Sequence, residues 1–142
     1  MKILRHARAT WSGPVPSGTG SMILGRDGQV IPFSLKSRTE DGMGTNPEEL
    51  IGAALAGCFS MHFNSLIEDA GKPVGDIETS TRVTLEQRED GYWISEIHLT
   101  TRGHHQSLTE AEFKDFATKA KLTCPVSKLY ATAVITLDAA LA

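Results

Sequence analysis

Apolar and polar residues alternate through three segments in the first third of the chain, ILRHARATW, TGSMIL and VIPFSLK, and a period of two predicts strands. The turn-forming GRDG lies between the second and third, which places a hairpin at Asp27 and Gly28. A polar loop, TEDGMGT, separates these strands from a different pattern. Asn46 reads as an N-cap, Pro47 suits the first helical position, and Glu48 and Glu49 complement the positive end of the helix dipole. No breaker follows before Gly71, so the pattern predicts a helix of about 24 residues and roughly 36 Å. Its first half, Leu50 to Gly57, is apolar on every side, which predicts burial all round and close approach by neighbouring backbone. DIETSTRVTLEQRED and GYWISEIHLTTRG then alternate about a turn at Asp90 and Gly91, a second hairpin. Thr109 and Glu112 form a capping box for a helix through about Leu122, and ATAVITLDAAL reads as a last strand. The order βββ, α, ββ, α, β is α+β with mostly antiparallel pairing, because few helices lie between strands to allow parallel crossovers.

A chain of 142 residues is expected to form one domain, residues 1–142. Apolar residues at 40% and charged residues at 22% describe an ordinary soluble protein, and a net charge of -3 provides no basic surface for nucleic acid. Lys2, Arg5 and Arg8 interrupt the first residues, so a signal peptide is not expected, and no stretch is read as approaching a membrane span. A cytoplasmic location follows, and there two cysteines are more often filler or working thiols than a structural disulfide. Neither CxxC nor another zinc spacing occurs, and His6, His98, His104 and His105 form no ligand motif, so no metal is expected. The glycine-bearing SGTGSMILGRDG and GMGTN lack the endings of a P-loop and of a dinucleotide fingerprint, so no nucleotide cofactor is expected either.

The candidate chemistry therefore lies in the two cysteines. In KLTCPVSKLY, Pro125 ends one helix and suits the first position of another, making Cys124 the N-cap of a short helix over Val126 to Tyr130. A thiol there faces free backbone N–H groups, which lowers a cysteine pKa, although a buried cysteine in a tight helix junction accounts for the same residues. Cys58 lies too deep in its helix for the dipole to activate it, and among Ala and Gly it reads as small apolar filler unless a cation lies near. Glu48 lies about 80° round the helix from Cys58 and about 15 Å along it, too far to touch the thiol. It suits the holding of an arginine, with Arg38, just before the loop that leads into the helix, as the candidate, although a plain first-turn acid and a strand-end charge account for the same residues. His62, one turn after Cys58 on the same face, is a rival activator.

TNPEELIGAALAGCFSM, the later TCPVSK, their separation and the element order resemble the OsmC/Ohr family of osmotically inducible and organic-hydroperoxide-resistance proteins, and more closely its OsmC branch. The resemblance spans nearly the whole chain. It implies an intertwined homodimer, with sheets wrapped around long central helices and two active sites at the subunit interface. It also implies thiol peroxidase chemistry on organic hydroperoxides, and more weakly on hydrogen peroxide, without haem, flavin or metal. By motif, Cys58 corresponds to the peroxidatic cysteine, Cys124 to the resolving one, Glu48 to the carboxylate that holds the active-site arginine, and Arg38 to that arginine. Arg26, in GRDG, resembles an arginine motif of the Ohr branch at different spacing and is the runner-up. The reductant implied is an external dithiol such as a lipoyl-bearing protein. The competing expectation is a non-catalytic dimer on the same fold that binds a small apolar ligand.

Overall fold

The computed structural model describes residues 1–142 and divides into two compact units, Met1–Leu50 and Ile51–Ala142. In the first, β1 (Ala7–Ser12), β2 (Thr19–Leu24) and β3 (Val30–Phe33) form an antiparallel sheet in chain order. The strand expected through VIPFSLK ends early, at Phe33. The side chain of Ser34 accepts from the Ser37 N–H while Ser37 caps the Ser34 N–H in return, and this capping box starts a short helix, α1 (Leu35–Thr39), where strand was expected. Ile23 is the only buried apolar residue of the sheet, and β1 is exposed along its whole length.

The long helix α2 (Pro47–Asp69) begins in the first unit and runs through the second. The Glu49 N–H donates to Asn46 Oδ1, the expected cap. At the other end the Lys72 N–H bonds the Ile67 carbonyl and the Gly71 N–H bonds the Glu68 carbonyl, a Schellman motif that the positive φ of Gly71 permits. Two expectations need correction here. By length and composition α2 is apolar enough to cross a bilayer, as the core helix of a soluble protein also can be. Nor is it covered all round: Ala53, Ala54, Gly57 and Met61 are exposed, whereas Leu55, Phe59, Phe63 and Ile67 are fully buried. A spacing of four puts the second set on one face.

That face packs into the core of the second unit. β4 (Asp76–Arg88) and β5 (Gly91–His104) form the predicted hairpin, turning at Gly91 with φ +126. α3 (Glu110–Thr123) starts at the predicted capping box of Thr109 and Glu112, and α4 (Pro125–Leu129) follows after the single residue Cys124. β6 (Val134–Leu141) pairs parallel to β5, because α3 and α4 form a crossover long enough to return the chain in the same direction. One parallel pair thus joins an otherwise antiparallel arrangement. Ile97 and Leu99 of β5 and Phe113, Ala117 and Ala120 of α3 meet the α2 face in one cluster.

Candidate active site

Residues Met1–Leu50 hold one half of the predicted constellation. α1 is pinned to the start of α2: Ser37 Oγ donates to the Thr45 carbonyl at 2.7 Å and Asn46 Nδ2 donates to the Ser37 carbonyl at 2.9 Å. Arg38, the next residue of α1, is thereby aimed at Glu48. Its Nε lies 3.0 and 3.2 Å from the two carboxylate oxygens and its Nη2 lies 2.6 Å from Oε1, the fork geometry that suits guanidinium and carboxylate. Glu48 is buried while the Arg38 side chain remains 42% exposed, so the cation is anchored at one edge and open at the other. Arg26 lies in the β2–β3 hairpin and forms no ion pair. Beside Arg38 is a cavity of about 230 Å³ lined by Trp11, Val15, Phe33, Ser34, Leu35 and Pro47, with the Trp11 and Phe33 rings 5.4 Å apart.

Residues Ile51–Ala142 hold the other half. The sulfurs of Cys58 and Cys124 lie 2.7 Å apart as free thiols, within hydrogen-bonding reach of each other. A disulfide bond spans about 2.05 Å, so the two sulfurs need approach by less than about 1 Å to bond. Cys124 is fully buried and Cys58 partly so. Cys124 sits between α3 and α4 as predicted, but its thiol makes no cap. The neighbouring Val126 N–H acts instead on the Cys58 sulfur, favouring its charged form. Pro125 has no N–H, so Val126 carries the first backbone donor after the junction. The donor expected to serve Cys124 thus serves Cys58.

Burial pushes the Cys58 thiol above its ordinary pKa, the adjacent Cys124 sulfur raises it further, and the Val126 N–H pulls the other way. Within Ile51–Ala142 no cationic side chain acts on it. His62 is committed elsewhere, with Nε2 2.7 Å from Thr123 Oγ1. The structure therefore brings together Cys58 with Cys124, and Arg38 with Glu48. Three contributors escaped the sequence reading. Ser34 followed three residues later by Ser37 was a legible cap signal; the Val126 N–H and the Thr123 hydroxyl bear no motif, and only the fold brings them to their partners.

Residues 39–138 match the family model described as OsmC-like protein. The chain is 36% identical to Peroxiredoxin OsmC of Escherichia coli (strain K12) over 97% of its length and 96% of the relative's. Among solved structures it resembles the organic hydroperoxide resistance protein OhrB of Bacillus subtilis, with a TM-score of 0.74 at 21% identity, covering 96% of this chain and 98% of that one. It likewise resembles an OsmC-like protein from Mycoplasma pneumoniae, with a TM-score of 0.77 at 18% identity over 99% of each.

Proposed function

The chain belongs to the OsmC-like protein family, and from that premise we propose that it reduces organic hydroperoxides through Cys58 and Cys124. Its kinship with a peroxiredoxin makes it a peroxiredoxin-like enzyme. The observation that carries the finer proposal is the 2.7 Å contact between the two free sulfurs. The Cys58 thiolate attacks the terminal oxygen of ROOH, the O–O bond breaks, and RO⁻ leaves and takes a proton to become ROH. Cys58 is then a sulfenic acid. The Cys124 thiol condenses with it, forming the S–S bond and releasing water before a second equivalent of oxidant can over-oxidise Cys58. An external dithiol, for which a lipoyl-bearing protein has the right chemistry, reduces the disulfide by exchange.

A thiol pushed up by burial needs a cation to ionise at neutral pH, and we assign that role to Arg38, held by Glu48. The same guanidinium suits the charge that develops on the departing oxygen. The apolar cavity beside Arg38 favours an alkyl or aryl hydroperoxide over hydrogen peroxide. The uncovered α2 face and the exposed apolar residues of the first sheet, Leu24 and Val30 among them, support a homodimer with its active sites at the subunit interface. Reduced thiols and a recycling dithiol fit a cytoplasmic setting.

The test is one equivalent of cumene hydroperoxide followed by mass spectrometry. A loss of two hydrogens mapped to Cys58 and Cys124 is expected, together with abolished turnover in Cys58→Ser. The same cavity favours a second possibility, a non-catalytic binder of apolar ligands, and unchanged thiols after fast mixing would select it.

A further inference from the structure

We infer that His62 and Thr123 form a positioning clasp that keeps the resolving cysteine seated against the peroxidatic one; this rests on the two-cysteine chemistry just proposed. α2 and α3 run antiparallel, as three polar contacts in sequence record: Cys58 with Cys124, His62 with Thr123, and Lys72 just past the end of α2 with Glu112 in the first turn of α3. Between the helices packing is apolar, through Phe59, Phe63, Phe113, Ala117 and Ala120. Such packing fixes separation better than it fixes sliding along the axes, whereas a hydrogen bond with one acceptable geometry fixes register. His62 lies one helical turn from Cys58, and Thr123 is the residue before Cys124, so the clasp acts where the two sulfurs meet.

The Thr123 hydroxyl has one hydrogen, and it donates that hydrogen to the Lys119 carbonyl at 2.8 Å, an oxygen that can only accept. Towards His62 the hydroxyl oxygen therefore accepts, and His62 Nε2 carries the proton. The clasp is a tie between two elements, and it keeps His62 Nε2 turned to Thr123 rather than aimed at Cys58 as a base. Cys124 depends on it because the backbone there is in transition: φ -58 and ψ 131 interrupt the helices, and its local backbone bonds are the N–H to Ala120 and the carbonyl to Lys128.

In the resolving step the Cys58–SOH oxygen leaves as water, taking the thiol proton of Cys124, while the two sulfurs bond. Losing the clasp leaves oxidation of Cys58 unchanged and slows this condensation, so over-oxidation competes. The variants are His62→Ala and Thr123→Val, with His62→Gln as the conservative rescue, since its amide offers an N–H near the same place but no base. At excess cumene hydroperoxide, stopped-flow and mass spectrometry are expected to give an unaltered first step. Condensation should be about five- to tenfold slower, with a matching rise in Cys58 sulfinic acid, in His62→Ala and in Thr123→Val, and no further loss in the double variant. His62→Gln should restore the wild-type partition. Wild-type partition in both single variants would overturn the clasp, as would a Gln variant no better than Ala. A second measurement stands apart from peroxidase activity: in glutathione redox buffers the fraction of Cys58–Cys124 disulfide should fall by a comparable factor in the two single variants. Inert wild-type Cys58 in the first experiment would refute the peroxidase proposal and leave this equilibrium to decide the clasp, an unshifted equilibrium refuting it.

Discussion

Arg38 commits Nε and Nη2 to Glu48, which leaves Nη1 free of that carboxylate and the guanidinium edge open. Cys58 presents the opposite problem, because burial and a neighbouring sulfur both disfavour its charged form. A cation at the sulfur favours the thiolate, so its removal raises the thiol pKa and lowers the thiolate fraction at any pH below that value. Arg38→Met is therefore expected to cut the second-order rate of Cys58 oxidation by about 10²–10³, the loss typical of a single charge-stabilising donor. It should also move the inflection of the pH–rate profile upward. Arg38→Lys should recover only part of the rate, since an ammonium cannot fork onto Glu48. Stopped-flow profiles of the three proteins between pH 5 and about 10 check this. An inflection at the same pH in Arg38→Met would remove Arg38 from the site and return Cys58 to the filler reading that the sequence first invites.

At the scale of elements, the end of β5 shows how closely the second unit is fitted. A Cβ on Gly103 would come within 2.5 Å of the Phe113 ring and 2.8 Å of His105 Nδ1. Both neighbours are buried, and His105 is itself tied to Asn64 Oδ1 at 3.1 Å, so neither has room to withdraw. Gly103→Ala should cost about 1–3 kcal/mol, read as a lower urea midpoint with an unchanged m-value. A midpoint equal to wild type would mean that the Phe113 ring moves freely. Nothing in GYWISEIHLTTRG marks Gly103 as a contact point, because its crowding comes from a helix that follows later in the chain. The same division separates what was legible elsewhere. Asn46-Pro47, Thr109-Glu112 and Gly71 announce helix ends through bonds within a few residues, and the sequence revealed them. The Ser34 cap was as local, yet it was hidden by an apparent alternation that made VIPFSLK look like continuous strand. The parallel β5–β6 pair and the Val126 donor depend on a crossover and on how two distant segments meet, which periodicity does not encode. The pairing of Cys58 with Cys124 was reached through family resemblance, not through spacing.

At the scale of the whole molecule, the second face of α2 is exposed. Ala53, Ala54, Gly57 and Met61 recur at helical spacing, with Met61 75% exposed, and a Cβ on Gly57 would meet no atom within 4 Å. A side chain at position 57 is therefore harmless within one chain. Replacing glycine in a helix interior should even strengthen the helix, by up to about 1 kcal/mol. In the proposed homodimer the opposite holds, because a small residue at the centre of an apolar stripe lets two helices approach closely, and a larger one forces them apart. Gly57→Leu separates these effects. Wild-type protein is expected to sediment as two chains, whereas Gly57→Leu should sediment as one, or dissociate at much higher concentration, while keeping its helical circular dichroism. If the active sites lie at the subunit interface, peroxidase activity should fall with the dimer and return as protein concentration restores it. A variant that remains dimeric and fully active would place the interface elsewhere, and the uncovered α2 face would then need a different partner.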